Sequence, residues 1–147
     1  MTATGNRWLI VGGWLSITAA LLHIACIFGG GDWYRFFGAG EELAAADEAG
    51  SWMPAILTAA IATVLFIWAA YAFSGAGVIA RLPLLKTALV IIATIYLLRG
   101  LMILPILMQG PMRTPFNISS SLIVLVYGIT YAVGTWQMWR ALSLRRV

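Results

Sequence analysis

The sequence has few of the residues that build disulfides, metal centres and catalytic sites. Among its 147 residues there are one cysteine, Cys26, and one histidine, His23. A single cysteine excludes an intrachain disulfide and a site of several thiolates. With one histidine and one cysteine, the chain cannot supply the four ligands of a structural zinc site. We therefore expect no metal and no cofactor; a haem held by His23 and a methionine is the arrangement that these counts leave open.

Charge is also scarce. Only 10% of the residues are charged and 62% are hydrophobic, whereas soluble domains have about 25% and about 45–50%. The mean hydropathy is +0.94. The sequence therefore predicts one integral membrane domain over residues 1–147. The net charge of +4 does not indicate a nucleic-acid partner, because most basic residues stand at the ends of apolar segments, where they set topology and contact anionic lipid.

Sequence signatures of common enzymes do not occur. The chain has no Gly-x-Ser-x-Gly, no His-Glu-x-x-His and no phosphate-binding Gly-x-x-x-x-Gly-Lys-Ser/Thr. It also has no EF-hand spacing, and a calcium site needs about six to eight oxygen ligands. The motifs thus give no positive indication of an enzyme.

Four apolar segments are long enough to cross a membrane, which takes about 20 residues. They cover about 8–28, 52–73, 84–108 and 118–139. Short connections between them predict an all-α protein, with four transmembrane helices in an antiparallel up-down bundle. Residues 29–51 form a longer connection, with a short helix predicted from Glu41 to Ala49. Connections of this length are usually functional or disordered.

Lysine and arginine counts predict the orientation. One side of the bundle would carry Arg7, Arg81, Lys86, Arg140, Arg145 and Arg146, and the other Arg35 and Arg113. Because positive residues concentrate on the cytoplasmic side, both termini are expected there, with loop 29–51 outside. We expect the protein in a bacterial inner membrane. Trp33 and Trp52 would then lie at the outer membrane interface.

Small residues recur at helical spacing on two of the segments. Gly12, Ser16, Ala19 and His23 share one face of the first segment, and Ser121, Gly128 and Thr135 follow at intervals of seven in the fourth. Small residues let transmembrane helices approach closely. Helix packing accounts for these patterns and places His23 on a packing face.

Arg99 is the most informative residue, because it lies near the middle of the third apolar segment. A central arginine costs about 2.5–3.5 kcal/mol on insertion scales, and such residues normally face the bundle interior. Pro105 cannot donate a hydrogen bond to the carbonyl of Leu101, which becomes a free acceptor nearby. His23 and Tyr96 are expected at a similar level. These residues predict a polar pocket in the outer half of the bundle.

All five acidic residues lie in one stretch: Asp32, Glu41, Glu42, Asp47 and Glu48. Asp32 or Glu41 could supply a counter-charge to Arg99. Asp47 and Glu48 are either solvated or held by Arg35 or Arg113. The predicted ligand-binding residues are Arg99, His23, Tyr96, Asp32, Trp33, Glu41 and Trp52.

Three classes of function fit these features. The first is binding of a small amphiphile or anionic lipid, with Arg99 pairing with an anionic head group. The second is an accessory subunit that packs against partner transmembrane helices, or a homo-oligomer, with Arg99 contacting a partner's acid. The third is a membrane-embedded enzyme, with His23 as acid/base and Arg99 stabilising an oxyanion or phosphate. Purely structural roles remain alternatives for both residues.

Overall fold

The computed structural model describes residues 5–108, 110 and 113–143. Within these ranges the chain is helical and contains no strand. The helices are α1 (Arg7–Phe36), α2 (Glu41–Glu48), α3 (Met53–Gly75), α4 (Leu85–Leu101), α5 (Ile103–Met108), α6 (Pro115–Gln137) and α7 (Trp139–Ser143). Arg145 and Arg146, which entered the orientation prediction, lie outside the described residues.

Four helical stretches of the described chain are long and apolar enough to span a membrane. They are α1, α3, the continuous α4–α5 stretch Leu85–Met108, and α6. Many large apolar side chains on them are exposed, including Trp14, Ile56 and Leu98. Such extensive apolar surface marks a face covered by membrane. The prediction of an integral membrane protein with four transmembrane helices is confirmed.

The first helix continues past the predicted boundary at residue 28 and ends at Phe36. Gly30 kinks it, with φ 68° and ψ −159°, a conformation that glycine adopts without steric cost. After the kink, α2 folds back against α1. A Cβ on Gly31 would lie 2.7 Å from Glu48 Oε1 and 3.0 Å from the Ala44 carbonyl oxygen. The consecutive glycines therefore extend α1 and leave room for α2, so residues 29–36 belong to a helix and not to a loop.

The third spanning stretch is interrupted in its second half, after the 17 residues of α4 and before the 6 residues of α5. Helix α4 ends at Leu101, and α5 begins at Ile103. Pro105 is the third residue of α5, where its missing N–H costs little because first-turn N–H groups have no partner within the helix. The interruption therefore lies a few residues beyond Arg99.

Helices α4 and α6 approach each other at glycines. A Cβ on Gly100 would lie 2.6 Å from Leu125 Cα, and one on Gly128 would lie 2.8 Å from the backbone nitrogen of Leu97. Only glycine allows these backbones to come so close. This contact sets the position of the residues next to Gly100, including Arg99.

The two ends of the bundle carry different charges. At one end the start of α1 meets the end of α6, where Asn6 Nδ2 donates to Gln137 Oε1 at 3.0 Å. At the other end the residue after α1 meets the start of α6, where the centroids of the Phe37 and Phe116 rings are 6.3 Å apart. We call the first the basic end, since it carries Arg7, Arg81, Lys86 and Arg140. We call the second the acidic end, since it carries Arg35, Arg113 and the five acidic residues listed above.

Candidate functional site

Arg99 lies on an exposed face of α4, beside α6. Its Nη1 donates to the hydroxyl of Ser121 at 3.1 Å, and Ser121 is fully buried. Among the described residues, no carboxylate lies within ion-pair distance of it. A guanidinium has five N–H donors, so most of its hydrogen-bonding capacity and all of its charge remain available.

The expectation that Arg99 faces the bundle interior is wrong. Successive helical residues differ by about 100° in direction, and here Gly100 occupies the inward position. Gly100 is buried directly against the backbone of Leu125, where a guanidinium would not fit. The arginine is therefore displaced to the edge of the α4–α6 contact, and the buried hydroxyl of Ser121 holds it there.

Tyr96 lies inside the bundle, in a hydrogen-bonded chain that joins all four spanning helices. Its hydroxyl is 3.0 Å from Ser16 Oγ, which is 2.8 Å from the hydroxyl of Tyr131. Tyr131 donates in turn to the carbonyl oxygen of Trp68 at 3.1 Å. Because that carbonyl only accepts, Tyr131 must accept from Ser16, and Ser16 must then accept from Tyr96. The Tyr96 hydroxyl is therefore engaged in the core and does not line an open pocket with Arg99.

Aromatic rings enclose this chain. The Tyr96 ring meets Trp68 edge-on at 4.9 Å and Tyr127 edge-on at 5.5 Å, and it lies tilted 5.5 Å from Tyr131. The sequence predicts that Ser16 lies on a packing face, but the hydrogen-bonded network is not predicted from it. The spacing of Tyr127 and Tyr131, one helical turn apart, was the available signal.

His23 makes its hydrogen bond within its own helix. Its Nδ1 lies 2.7 Å from the carbonyl oxygen of Ala19. Since a carbonyl only accepts, Nδ1 carries the hydrogen, and Nε2 is the acceptor of the neutral ring. In the described part of the chain, no hydrogen bond or ring contact joins His23, Arg99 and Tyr96. Each of the three predicted pocket residues thus has a different hydrogen-bond partner in the structure.

Arg35 is the centre of the acidic end. Its Nε and Nη2 donate to the two carboxylate oxygens of Glu41 at 2.9 and 2.8 Å. Nη2 also donates to Glu48 Oε2 at 3.0 Å, and Nη1 contacts Glu48 Oε1 and, at 3.4 Å, Asp32 Oδ1. Paired contacts of this kind are the strongest arginine–carboxylate geometry. Arg35 thus pairs with Glu48, as one of the alternatives predicted from the sequence, and it also pairs with Glu41. Glu41 is therefore not the counter-charge of Arg99.

Hydrogen bonds from Arg35 hold the pKa values of Glu41 and Glu48 below that of an ordinary glutamate. A carboxylate with a lowered folded-state pKa contributes stability that is present above its unfolded pKa, about 4.5. That stability is lost as pH falls through the folded-state pKa. The cluster is therefore intact at neutral pH and weakens only in acid.

We expect acid to release α2 from α1. As pH falls below about 4.5 and then through the lowered folded-state pKa values, protonation of Glu41 and Glu48 removes the partners of Arg35, and amide hydrogen exchange in residues 41–48 should rise. Exchange in α3 should stay slow. The matched variant is Arg35→Gln, which should exchange fast in this segment at neutral pH as well. Equal protection of residues 41–48 at about pH 2 and at pH 7 in the wild-type protein would contradict this assignment, because the lowered pKa values of the two glutamates keep the cluster ionised in milder acid.

The two predicted site tryptophans lie at the acidic end. Trp33 packs over Gly29 and lies 5.8 Å from the Phe37 ring, and it is partly exposed. Trp52 is exposed immediately before α3. Neither ring contacts Arg99 in the described residues, and their positions fit an aromatic belt at the membrane surface.

Over the described ranges, no three histidine, cysteine, aspartate or glutamate side chains are grouped as a metal site requires. Comparison with protein-family models, with curated proteins and with solved structures finds no match to this chain.

Proposed function

We propose that the spanning helices form an antiparallel up-down bundle in a bacterial inner membrane, with both termini cytoplasmic. Two contacts support the alternation: the start of α1 meets the end of α6, and the end of α1 meets the start of α6. The charges support the orientation, because the basic end carries Arg7, Arg81, Lys86 and Arg140 without any of the acidic residues.

We propose further that the protein binds a small amphiphile or anionic lipid in the outer leaflet, through Arg99. The observation that carries this proposal is an exposed guanidinium on an apolar helix, held by a neutral hydroxyl and lacking a carboxylate partner among the described residues. Charge inside a membrane span is expensive and normally has a partner. An anionic head group from outside the chain would supply it.

The depth of Arg99 fits a head group that enters from the acidic end. Its partner Ser121 is six residues into α6, about 9 Å from the helix start at 1.5 Å per residue. Ser121 fixes one edge of the guanidinium, so the rest of the planar group can bind phosphate or carboxylate oxygens in a paired arrangement.

The neighbouring predicted residues have different parts in this proposal. Tyr96 fixes the spacing of the helices from within the core. Asp32 and Glu41 pair with Arg35, so an external anion would pair with Arg99. Trp33 and Trp52 would flank the entry at the membrane surface.

The same exposed arginine favours one alternative, an accessory role. An acidic residue in a partner's transmembrane helix could occupy the position assigned to the head group, either in a different protein or in a second copy of this chain. The two functions differ in the chemical identity of the occupant.

Native mass spectrometry in mild detergent tests the proposal, comparing wild type with Arg99→Ala. We expect a discrete small-molecule adduct on the wild-type protein that Arg99→Ala lacks, with the helical content unchanged. Arg113→Ala is the matched control, because it removes an exposed arginine at the same end and should keep the adduct. Arg99→Lys keeps the charge but loses the paired geometry, so it should retain the adduct only in part.

Two outcomes would overturn the lipid assignment. The first is the absence of any adduct that depends on Arg99, with the oligomeric state unchanged. The second is loss of a co-purifying protein, or of a dimer, from Arg99→Ala, which would establish the accessory role.

A further inference from the structure

A second set of basic residues borders a depression at the basic end, far from Arg99. Its lining includes Arg81, Lys86, Leu142 and Ser143. Both cations are positioned by neutral acceptors: Arg81 Nη2 donates to the Leu142 carbonyl oxygen at 2.6 Å, and Lys86 Nζ donates to Ser143 Oγ at 2.7 Å. Among the described residues, neither cation has a carboxylate partner. Within residues 5–108, 110 and 113–143, two fixed positive charges are therefore left uncompensated.

A separate apolar groove lies next to this depression, between α4 and α6. Its lining includes Ala93, Leu97, Ala132, Thr135 and Trp139. The two features meet where Lys86 Nζ lies 3.5 Å from the centroid of the Trp139 ring. The cationic depression complements an anionic head group, and the apolar groove beside it complements an acyl chain.

Thr135 gives an independent indication that the groove binds a polar group. Its hydroxyl is buried and has no hydrogen-bond partner among the described residues. Other helical threonines of this chain bond to a carbonyl one turn back: Thr63 to Ala59, and Thr94 to Val90. A buried donor without an acceptor is unfavourable, and an ester carbonyl of a lipid would satisfy it.

The depression and the groove together match a single leaflet in length. From Lys86 to Leu97 there are eleven residues, about 16 Å of helix at 1.5 Å per residue. The hydrocarbon core of a bilayer is about 30 Å thick. A chain lying in the groove would therefore extend from the head-group level to about the bilayer centre.

We propose that the depression and the groove together bind one phospholipid with an anionic head group, from the leaflet at the basic end. Arg81 and Lys86 contact the phosphate, Thr135 donates to an ester carbonyl, and an acyl chain lies along Ala93 and Ala132. This site is separate from Arg99 and does not depend on the function proposed for that residue.

Lipid titration in native mass spectrometry tests this site, with phosphatidylglycerol and phosphatidylcholine as probes. Wild type should bind one phosphatidylglycerol in preference to phosphatidylcholine. A basic residue near an anionic membrane surface contributes about 1 kcal/mol, so Arg81→Gln/Lys86→Gln should bind about thirtyfold more weakly. The control Arg7→Gln/Arg140→Gln has the same net charge and alters the same end, and it should bind nearly as wild type does.

Because Arg81 also holds the end of α7, two single variants keep the test independent of folding. Lys86→Gln should weaken binding about fivefold. Thr135→Val keeps the shape and removes the hydroxyl, and it should also weaken binding about fivefold. Arg99→Ala should leave this lipid bound, which separates the site from the one proposed above.

Three results would overturn the proposal. Equal losses in the two double variants would mean a nonspecific charge effect. Equal affinity for phosphatidylcholine and phosphatidylglycerol would mean that the two cations do not discriminate between the head groups. Displacement of phosphatidylglycerol by inorganic phosphate would mean a site for a free anion and not for a lipid.

Discussion

Replacing Gly100 by alanine is expected to destabilise the protein by about 1–3 kcal/mol, the range for overpacking a close contact. The added Cβ would lie 2.6 Å from Leu125 Cα and 2.8 Å from its backbone nitrogen. Backbone atoms cannot rotate away as a side chain can, so α4 and α6 must separate. In a membrane, transmembrane helices are held together by close packing and not by the exclusion of water, so the lost contacts have no substitute.

The free energy of unfolding measured by denaturant titration in detergent checks this expectation. Gly110→Ala is the control, because a Cβ there meets open space. Gly13→Ala should be milder than Gly100→Ala, since the atoms nearest to its Cβ would belong to the Phe73 ring, and a side chain can turn where backbone atoms cannot. A Gly100→Ala protein as stable as wild type would show that α4 and α6 do not approach at this residue.

Replacing Ser16 by alanine should cost about 1–3 kcal/mol, the penalty for leaving a buried polar group without a partner. Ser16 is fully buried and bonds to two hydroxyls from other helices. Without it, the Tyr96 hydroxyl has no partner among the described residues, whereas Tyr131 still donates to the Trp68 carbonyl. The loss should therefore arise mainly at Tyr96.

A double-mutant cycle isolates that cause. Tyr96→Phe removes the hydroxyl that Ser16→Ala leaves unsatisfied, so the double variant should lose less stability than the two single variants added together. Ser119→Ala is the control, because this exposed hydroxyl bonds to the Pro115 carbonyl of its own helix. Strictly additive losses would mean that Ser16 and Tyr96 do not share a hydrogen bond.

The candidate site was predictable only in part. The sequence indicated Arg99 because a charge within a long apolar segment stands out. It did not indicate the direction of Arg99, because both faces of a transmembrane helix are apolar and hydrophobic periodicity does not distinguish the inner one. The close contact of Gly100 with Leu125 decided the direction, and it depends on residues that are distant in the chain.

The acidic stretch shows the same division. Sequence alone located all five carboxylates within residues 32–48 and named Arg35 as one possible partner. The kink at Gly30 and the folding back of α2 decided that Glu41 and Glu48 both meet Arg35.

Length and hydropathy within each apolar segment suffice to predict a membrane protein with four transmembrane helices. Tertiary structure alone decided which polar groups meet. The chain from Tyr96 through Ser16 and Tyr131 to the Trp68 carbonyl draws on four helices, and it exists only once their packing places these groups within hydrogen-bonding distance.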